Sequence, residues 1–415
     1  MRRNPARMGL LAVLPLVVAS ASCGTSGAST TNLMNGVTPQ HVAASPATDA
    51  FNQGMAEFAV GLLNQVATGH DNVLLSPLSA ELALTLAANG AGGDTLSQMQ
   101  QVLAGGIGLA DWNAMLSGYL AGLPNTDGAK FHTAQSIWCN NARNVKVEPT
   151  FLQTNADYYG AGVYSTPFND QAVIDINAWV KQNTDGMIPK MLDGLDPDAA
   201  LVLLNALAFD AKWLQPYDDN QVQDGTFTSA DGAAQKAKFM SSMEYTYIDD
   251  GMATGFLKPY QDGAYNFVAL LPNLGVSMTS YLQTLTSGGW LKTMNGANQT
   301  PVLASLPKFS FSYATSLAET LKALGMPDAF GGMADFSRMG SIGGRPLYIS
   351  DVLQKTFIDV TQVGTRAGAA TAVIMAGSGL ITEPPVVTLD RPFVFAIADA
   401  SSNLPLFIGV VNNVQ

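Results

Sequence analysis

Charge is scarce in this chain, and what there is leans acidic. Asp, Glu, Lys and Arg make up 13% of its 415 residues, and 20 basic against 32 acidic side chains give a net charge of −12. Nucleic acid and anionic membrane both select for clustered Lys and Arg. No such cluster follows Arg2, Arg3 and Arg7, so neither is the expected partner. Cysteine is nearly absent: Cys23 and Cys139 are the only two. With Cys23 lipidated or removed no intramolecular disulfide can form, and the fold must rest on its core. Cys139 then reads as a buried apolar filler on a strand rather than a reactive thiol. Histidine is limited to His41, His70 and His132, without metal-ligand spacing, and neither HExxH nor CxxC occurs. No metal site and no cofactor are expected. A GxSxG elbow is missing, and Gly90-Ala-Gly-Gly93 lacks the Lys of a phosphate loop, so a turn is its better reading. The acidic pairs Asp218-Asp219 and Asp249-Asp250 sit in turn-like surroundings and read as solvated loops, not as paired acid–base carboxylates. Nothing here recommends an enzyme.

What the chain does have is apolar mass, 47% of its residues, enough to bury a large core and to exclude global disorder. Its start reads as an export signal: three arginines, then an apolar run from Met8 to Val18 too short to span a bilayer. The small residues Ala19 to Ser22 and then Cys23 resemble a bacterial lipoprotein signal (residues 1–22), with Cys23 as the lipidation candidate. Ser20 stands where such signals carry an aliphatic residue, and a cut after Ala19-x-Ala21 would instead release a soluble protein. The expected location is therefore extracellular or in the cell envelope. Residues 23–48, rich in Gly, Ser, Thr and Ala, read as a flexible tether. Residues 49–415 show no second linker and no repeat, which suits one large domain.

Within it Phe51, Met55, Phe58, Ala59, Leu62 and Leu63 recur at helical spacing. Leu82, Leu84, Leu86 and Ala87 suggest a second helix, with Ser79 at its cap and Gly90 as a left-handed terminus. Strand-like runs occupy 133–138, 201–209, 265–271 and 302–311. Residues 393–399 and 404–411 are apolar on both faces and joined by Ser-Ser-Asn, which predicts a buried hairpin. Helices and strands do not alternate regularly, so the class is α+β with large antiparallel sheets.

Residues 360–380, VTQVGTRAGAATAVIMAGSGL, hold a single charge, Arg366. Read as a strand, Thr365, Ala367, Ala369, Thr371, Val373 and Met375 share one face with no charge on it. Arg366 falls on the other face with Gly368, Ala370 and Ala372. Yet Ala376-Gly-Ser-Gly379 and Glu383-Pro-Pro385 read as an exposed loop. One segment written both as loop and as strand suggests a conformational switch.

Several blocks in order carry a resemblance. Asn72-Val-Leu-Leu-Ser76-Pro-Leu-Ser79 through Gly90-Ala-Gly-Gly-Asp-Thr95 is similar to the helix-B signature of the serpins. Asn177-Ala-Trp-Val180 with Thr184-x-Gly186-x-Ile188 resembles their helix F and its exit. Leu204-Asn205-Ala-Leu-Ala-Phe209 with Lys212-Trp213 resembles their central strand. Leu306-Pro-Lys-Phe309, Leu321-x-x-Leu-Gly-Met326, Ala329-Phe330 and Ala334-Asp-Phe-Ser337 follow, and Asp390-Arg-Pro-Phe393 and Leu406-Phe-x-Gly409 close the chain. The resemblance runs from about Phe51 to the C-terminus.

It implies a serpin fold of about three β-sheets and about eight to nine helices with an exposed reactive-centre loop, here about 362–388. It also implies a serine-protease inhibitor that acts as a suicide substrate, the cut loop inserting into sheet A. A non-inhibitory serpin acting as a surface binding protein is the alternative. The hinge would be Gly364, Thr365, Arg366, Ala367, Gly368, Ala369, Ala370 and Thr371. Counting from Gly364 puts the reactive bond at Ser378–Gly379, with Met375 or Leu380 as alternatives for the recognised residue. No Lys or Arg lies between 367 and 390, so the expected partner is a protease with a small or apolar pocket, elastase-like or subtilisin-like. A monomer is expected, and glycosaminoglycan is not, because only Lys130 is basic before the strand at 131–138. Ser76, Ser79, Asn205 and Gln354 would form the sheet-A shutter, and Trp213 would stand at the breach, where the loop enters. Gln354 replaces the family's usual His, and Gln362 and Arg366 replace its usual Glu.

Overall fold

The computed structural model describes residues 30–126, 128–365 and 383–415. Among these, nine α-helices form: α1 (Asp49–Val66), α2 (Pro77–Ala88), α3 (Gly93–Ala104), α4 (Leu109–Gly122), α5 (Pro149–Tyr159), α6 (Asp170–Asn183), α7 (Met278–Thr284), α8 (Gly289–Asn295) and α9 (Ala318–Leu324). Helix α2 begins one turn earlier than the sequence suggests. Ser76 is its cap, accepting from the Ser79 amide, and Pro77 takes the first helical position, where its missing N–H costs nothing. All twelve α2 residues are buried, as expected of a helix apolar on every side. Gly90 does not end α2 in a left-handed conformation. It is small because a Cβ there would lie 2.3 Å from that of Met339.

The strands build three large sheets and a small three-stranded one. Sheet A contains, in chain order, β1 (Thr31–Asn32), β2 (Ala129–Asn140), β3 (Gly162–Thr166), β4 (Leu201–Lys212), β5 (Phe309–Ser316), β6 (Asp351–Val360) and β7 (Gly364–Thr365). Their spatial order is β1-β3-β2-β4-β7-β6-β5, and β4 also pairs directly with β6. A second sheet runs Val73–Leu75, Pro405–Val411, Phe393–Asp399, Tyr265–Pro272, Ala253–Pro259, Tyr247–Asp249. The hairpin expected at the C-terminus lies inside it with both strands wholly buried. The third is Val386–Thr388, Val302–Pro307, Ala234–Glu244, Val222–Thr228. The apolar run at 302–311 is thus two strands in two sheets, broken at Pro307-Lys308 because a proline cannot donate to a ladder.

The tether reading fails for its described part. Thr31 and Asn32 pair with Ser165 and Tyr164, extending the edge of sheet A, and the Leu33 amide donates to Val163 O at 2.8 Å. Farther on, the Gln40 amide donates to Asp157 and the Ser45 amide to Ala114 O. Small polar residues without a period look like linker, but an edge strand needs only backbone groups to pair.

One core cluster joins α1, α2 and the second sheet, and a smaller one, with Trp138, Ile176, Val180, Val202 and Leu204, fills the space between α6 and sheet A. Sheet A is therefore packed on both faces.

Candidate functional site

Strands β4 and β6 run parallel and pair from Val202–Asp351 to Ala206–Lys355. Past Lys355 they are no longer paired with each other. At the far end the chain turns back after Val360, and β7 sits in the gap: Gly364 opposite Lys212, and Thr365 between Ala211 and Val360. The sheet is zipped at one end and wedged open at the other.

The zipped end is held by an amide. Gln354, 2% exposed, donates through Nε2 to Asn205 Oδ1 (2.8 Å) and to Ser76 O (2.9 Å), and its Oε1 accepts from the Ser76 amide (3.0 Å). Ser79 Oγ donates to Asn205 Oδ1 at 3.4 Å, and Ser76 Oγ donates to Leu406 O at 3.0 Å. The four shutter residues named from the sequence are thus brought together. Two partners were missed: Gln135 on β2 donates to Ser79 Oγ (3.2 Å), and Thr356 on β6 donates to Leu74 O (2.8 Å). Nothing local marks either residue, because the contacts span 56 and 282 positions. Asn205 Nδ2 is buried without a partner, a cost of the one-sided network.

Trp213 stands apart from that cluster, at the wedged end. It is more than a large core aromatic: its amide donates to Val363 O and its indole Nε1 to Thr361 O, both at 2.9 Å. The Tyr217 amide takes Gln362 O at 2.9 Å, so residues 213–217 grip three successive carbonyls at the loop base. Tyr260 stacks on Trp213 with ring centroids 4.6 Å apart, and its hydroxyl lies 2.6 Å from that of Thr365. Burial pushes that phenol well up, so it stays protonated and able to donate. Behind the rings the wholly buried Lys258 pairs with Glu244 at 2.8 Å and lies 4.2 Å from the Tyr217 ring centroid.

Gly364 must be glycine for want of space. A Cβ there would come within 2.1 Å of Ala211 O. Gln362 reaches outward, donating through Nε2 to Asp219 Oδ1 at 3.0 Å and accepting from Lys308 Nζ at Oε1. Asp219 is not simply a solvated loop residue, and neither is Asp250, which accepts from Tyr281 and Thr293. Cys139 is buried, and its thiol is pushed up to about 12, an inert filler.

Arg366, Ala367, Gly368, Ala369, Ala370, Thr371, Met375, Ser378, Gly379 and Leu380 lie outside the described residues, as does Cys23.

A strand pair that parts at one end, a short strand seated in the opening and a hydrogen-bonded cluster at the other end define the site. The chain belongs to the serpin (serine protease inhibitor) family, whose model matches residues 53–414. It is 33% identical over 361 residues to Serpin-ZXA of Oryza sativa subsp. japonica, covering 82% of this chain and 90% of that one. An uncharacterized serpin-like protein of Thermococcus kodakarensis is 29% identical over 378 residues, 89% of this chain and 86% of its own. Among solved structures, the thermophilic serpin tengpin in its native state matches with a TM-score of 0.88 at 42% identity, over 92% of this chain and 99% of that one. Its latent state matches at 0.79 and 39% identity, over 90% and 100%. The fold is the serpin fold, and its members are generally protease inhibitors rather than enzymes.

Proposed function

We propose that this serpin traps a serine protease as a suicide substrate, the cut loop entering sheet A between β4 and β6. The observation that carries the reading is the seating of Gly364 and Thr365 in a gap whose far end is still zipped by Gln354. The small residues 367–371 that follow would extend β7 without burying a charge, and Arg366 would keep to the other face. Roughly ten new ladder hydrogen bonds at about 1 kcal/mol net each would drive the insertion. The bond cut is Ser378–Gly379 on this reading, and the target has a small or apolar pocket, elastase-like or subtilisin-like. The chain works as an exported monomer, in the envelope if Cys23 is lipidated.

The test is a denaturing gel after brief incubation of the mature protein with pancreatic elastase and with subtilisin. A covalent band at the summed mass is expected, and sequencing the released C-terminal fragment fixes the scissile bond. A cut loop beside fully active protease, with no such band for either enzyme, would overturn the reading in favour of a non-inhibitory binding protein.

A further inference from the structure

Helix α2 carries one acid, Glu81, and it is 0% exposed. Its Oε1 accepts from the Trp112 indole Nε1 on α4 at 3.0 Å and from the Thr85 hydroxyl one turn on at 3.1 Å. Its Oε2 is buried with no partner. Among the described residues, the groups acting on it are Thr85 and Trp112, and no Lys, Arg or His joins them. The titratable group facing it is Tyr159 of α5, whose hydroxyl donates to Asn113 Oδ1 at 2.6 Å and is itself pushed up by burial. Asp49 of α1, Asp94 of α3 and Asp111 of α4 are exposed at their helix starts. An ionised carboxylate in so dry a place, with two neutral donors and no cation, costs several kcal/mol, so the group is held as the neutral acid. Burial accordingly drives it well above the usual carboxylate range.

We propose that Glu81 is a proton-dependent latch that holds α4 against α2 while it carries its proton and releases α4 as the surroundings become more basic. Trp112 is the contact through which the latch acts. It is wholly buried, its ring lies 4.7 Å from Phe51 of α1, and its one polar atom is spent on Glu81. When α4 lifts away, water reaches the carboxyl and the proton leaves. The closed state therefore binds one proton more than the open state. Above the ordinary carboxylate range, opening becomes easier with rising pH, by about tenfold per pH unit for one proton, until the closed state itself ionises. The consequence reaches the site described above, because α4 leads through residues 123–128 into β2, and β2 supplies the Gln135 amide bonded to Ser79.

The measurement is amide hydrogen exchange of the whole mature protein between pH 5 and pH 8, against Glu81→Gln, which keeps the shape and cannot ionise. The ratio of wild-type to variant exchange in α4 should climb by about tenfold per pH unit over part of that range, with α4 exchanging faster than the strand Phe393–Asp399 throughout. A flat ratio in α4, or exchange in α4 no faster than in the core strand, would overturn the latch: the first denies the linkage, and the second makes the opening global unfolding. Trp112→Phe supplies an independent check, since the indole bond favours the ionised form. Its loss raises the closed-state value and leaves the onset where it is, so the climb should continue to higher pH before levelling off, and levelling at a lower pH counts against the proposal.

Discussion

At residue scale the shutter depends on an amide because only an amide both donates twice and accepts from a single side chain. Gln354 uses all of that capacity, and its partners are two backbone groups of Ser76 and the Asn205 carbonyl oxygen. Gln354→Leu would leave the Ser76 amide buried and unpaired, while Ser76 O keeps the Ala80 amide and Asn205 Oδ1 keeps the Ser79 hydroxyl. Denaturant unfolding should show a loss of about 1–3 kcal/mol. Gln362 is the counter-example. It stands where the resemblance implies a Glu, as Gln354 stands for a His, but it sits at the surface between Asp219 and Lys308, where an amide can donate to one and accept from the other. Gln362→Glu would face Asp219 with a like charge and keep the lysine, and the same measurement should show a change within about 1 kcal/mol. Both glutamines stood out in the sequence only as departures from a pattern. Their partners lie more than 50 residues away, and no local feature names them.

At element scale the informative pieces are the two shortest strands of sheet A. The hinge strand β7 was legible as small residues, and its depth in the sheet was not, because that depth follows from the distance of Gly364 to Ala211. Gly364→Ala should expel β7, since the added carbon collides with the Ala211 carbonyl. Its backbone contact to Trp213 through Val363 would be strained at the same time. Trp213 fluorescence, read against a Trp213→Phe reference, should change on that substitution. An emission spectrum like that of the parent protein would show that β7 stays seated. Strand β1 was read as tether because composition reports only what side chains offer. Its pairing with β3 uses main-chain groups, which every sequence carries equally.

At the scale of the whole molecule, sheet A is unfinished. Strands β4 and β6 are paired over five residues each and then part, with β7 seated between them farther on. Completing the sheet without trapping a protease should therefore stabilise the protein. After a clean cut within residues 366–382 by any small protease, calorimetry should show a higher unfolding temperature than for the uncut chain. An equal or lower one would mean the cut loop does not insert.

The sequence by itself determined the apolar mass of the core, the buried C-terminal hairpin, the α+β class and, through blocks in fixed order, the family. Each of these is written in residue type and local spacing. Only the tertiary structure decided that Ser76 rather than Ser79 caps α2, that residues 31–32 close the edge of sheet A, and that Trp213 holds the loop base. It alone left Glu81 buried without a cation and stopped β4 and β6 from pairing beyond Ala206 and Lys355. These depend on which distant groups meet, and a chain folded into long-range sheets sets such meetings by packing and register, not by spacing along the sequence.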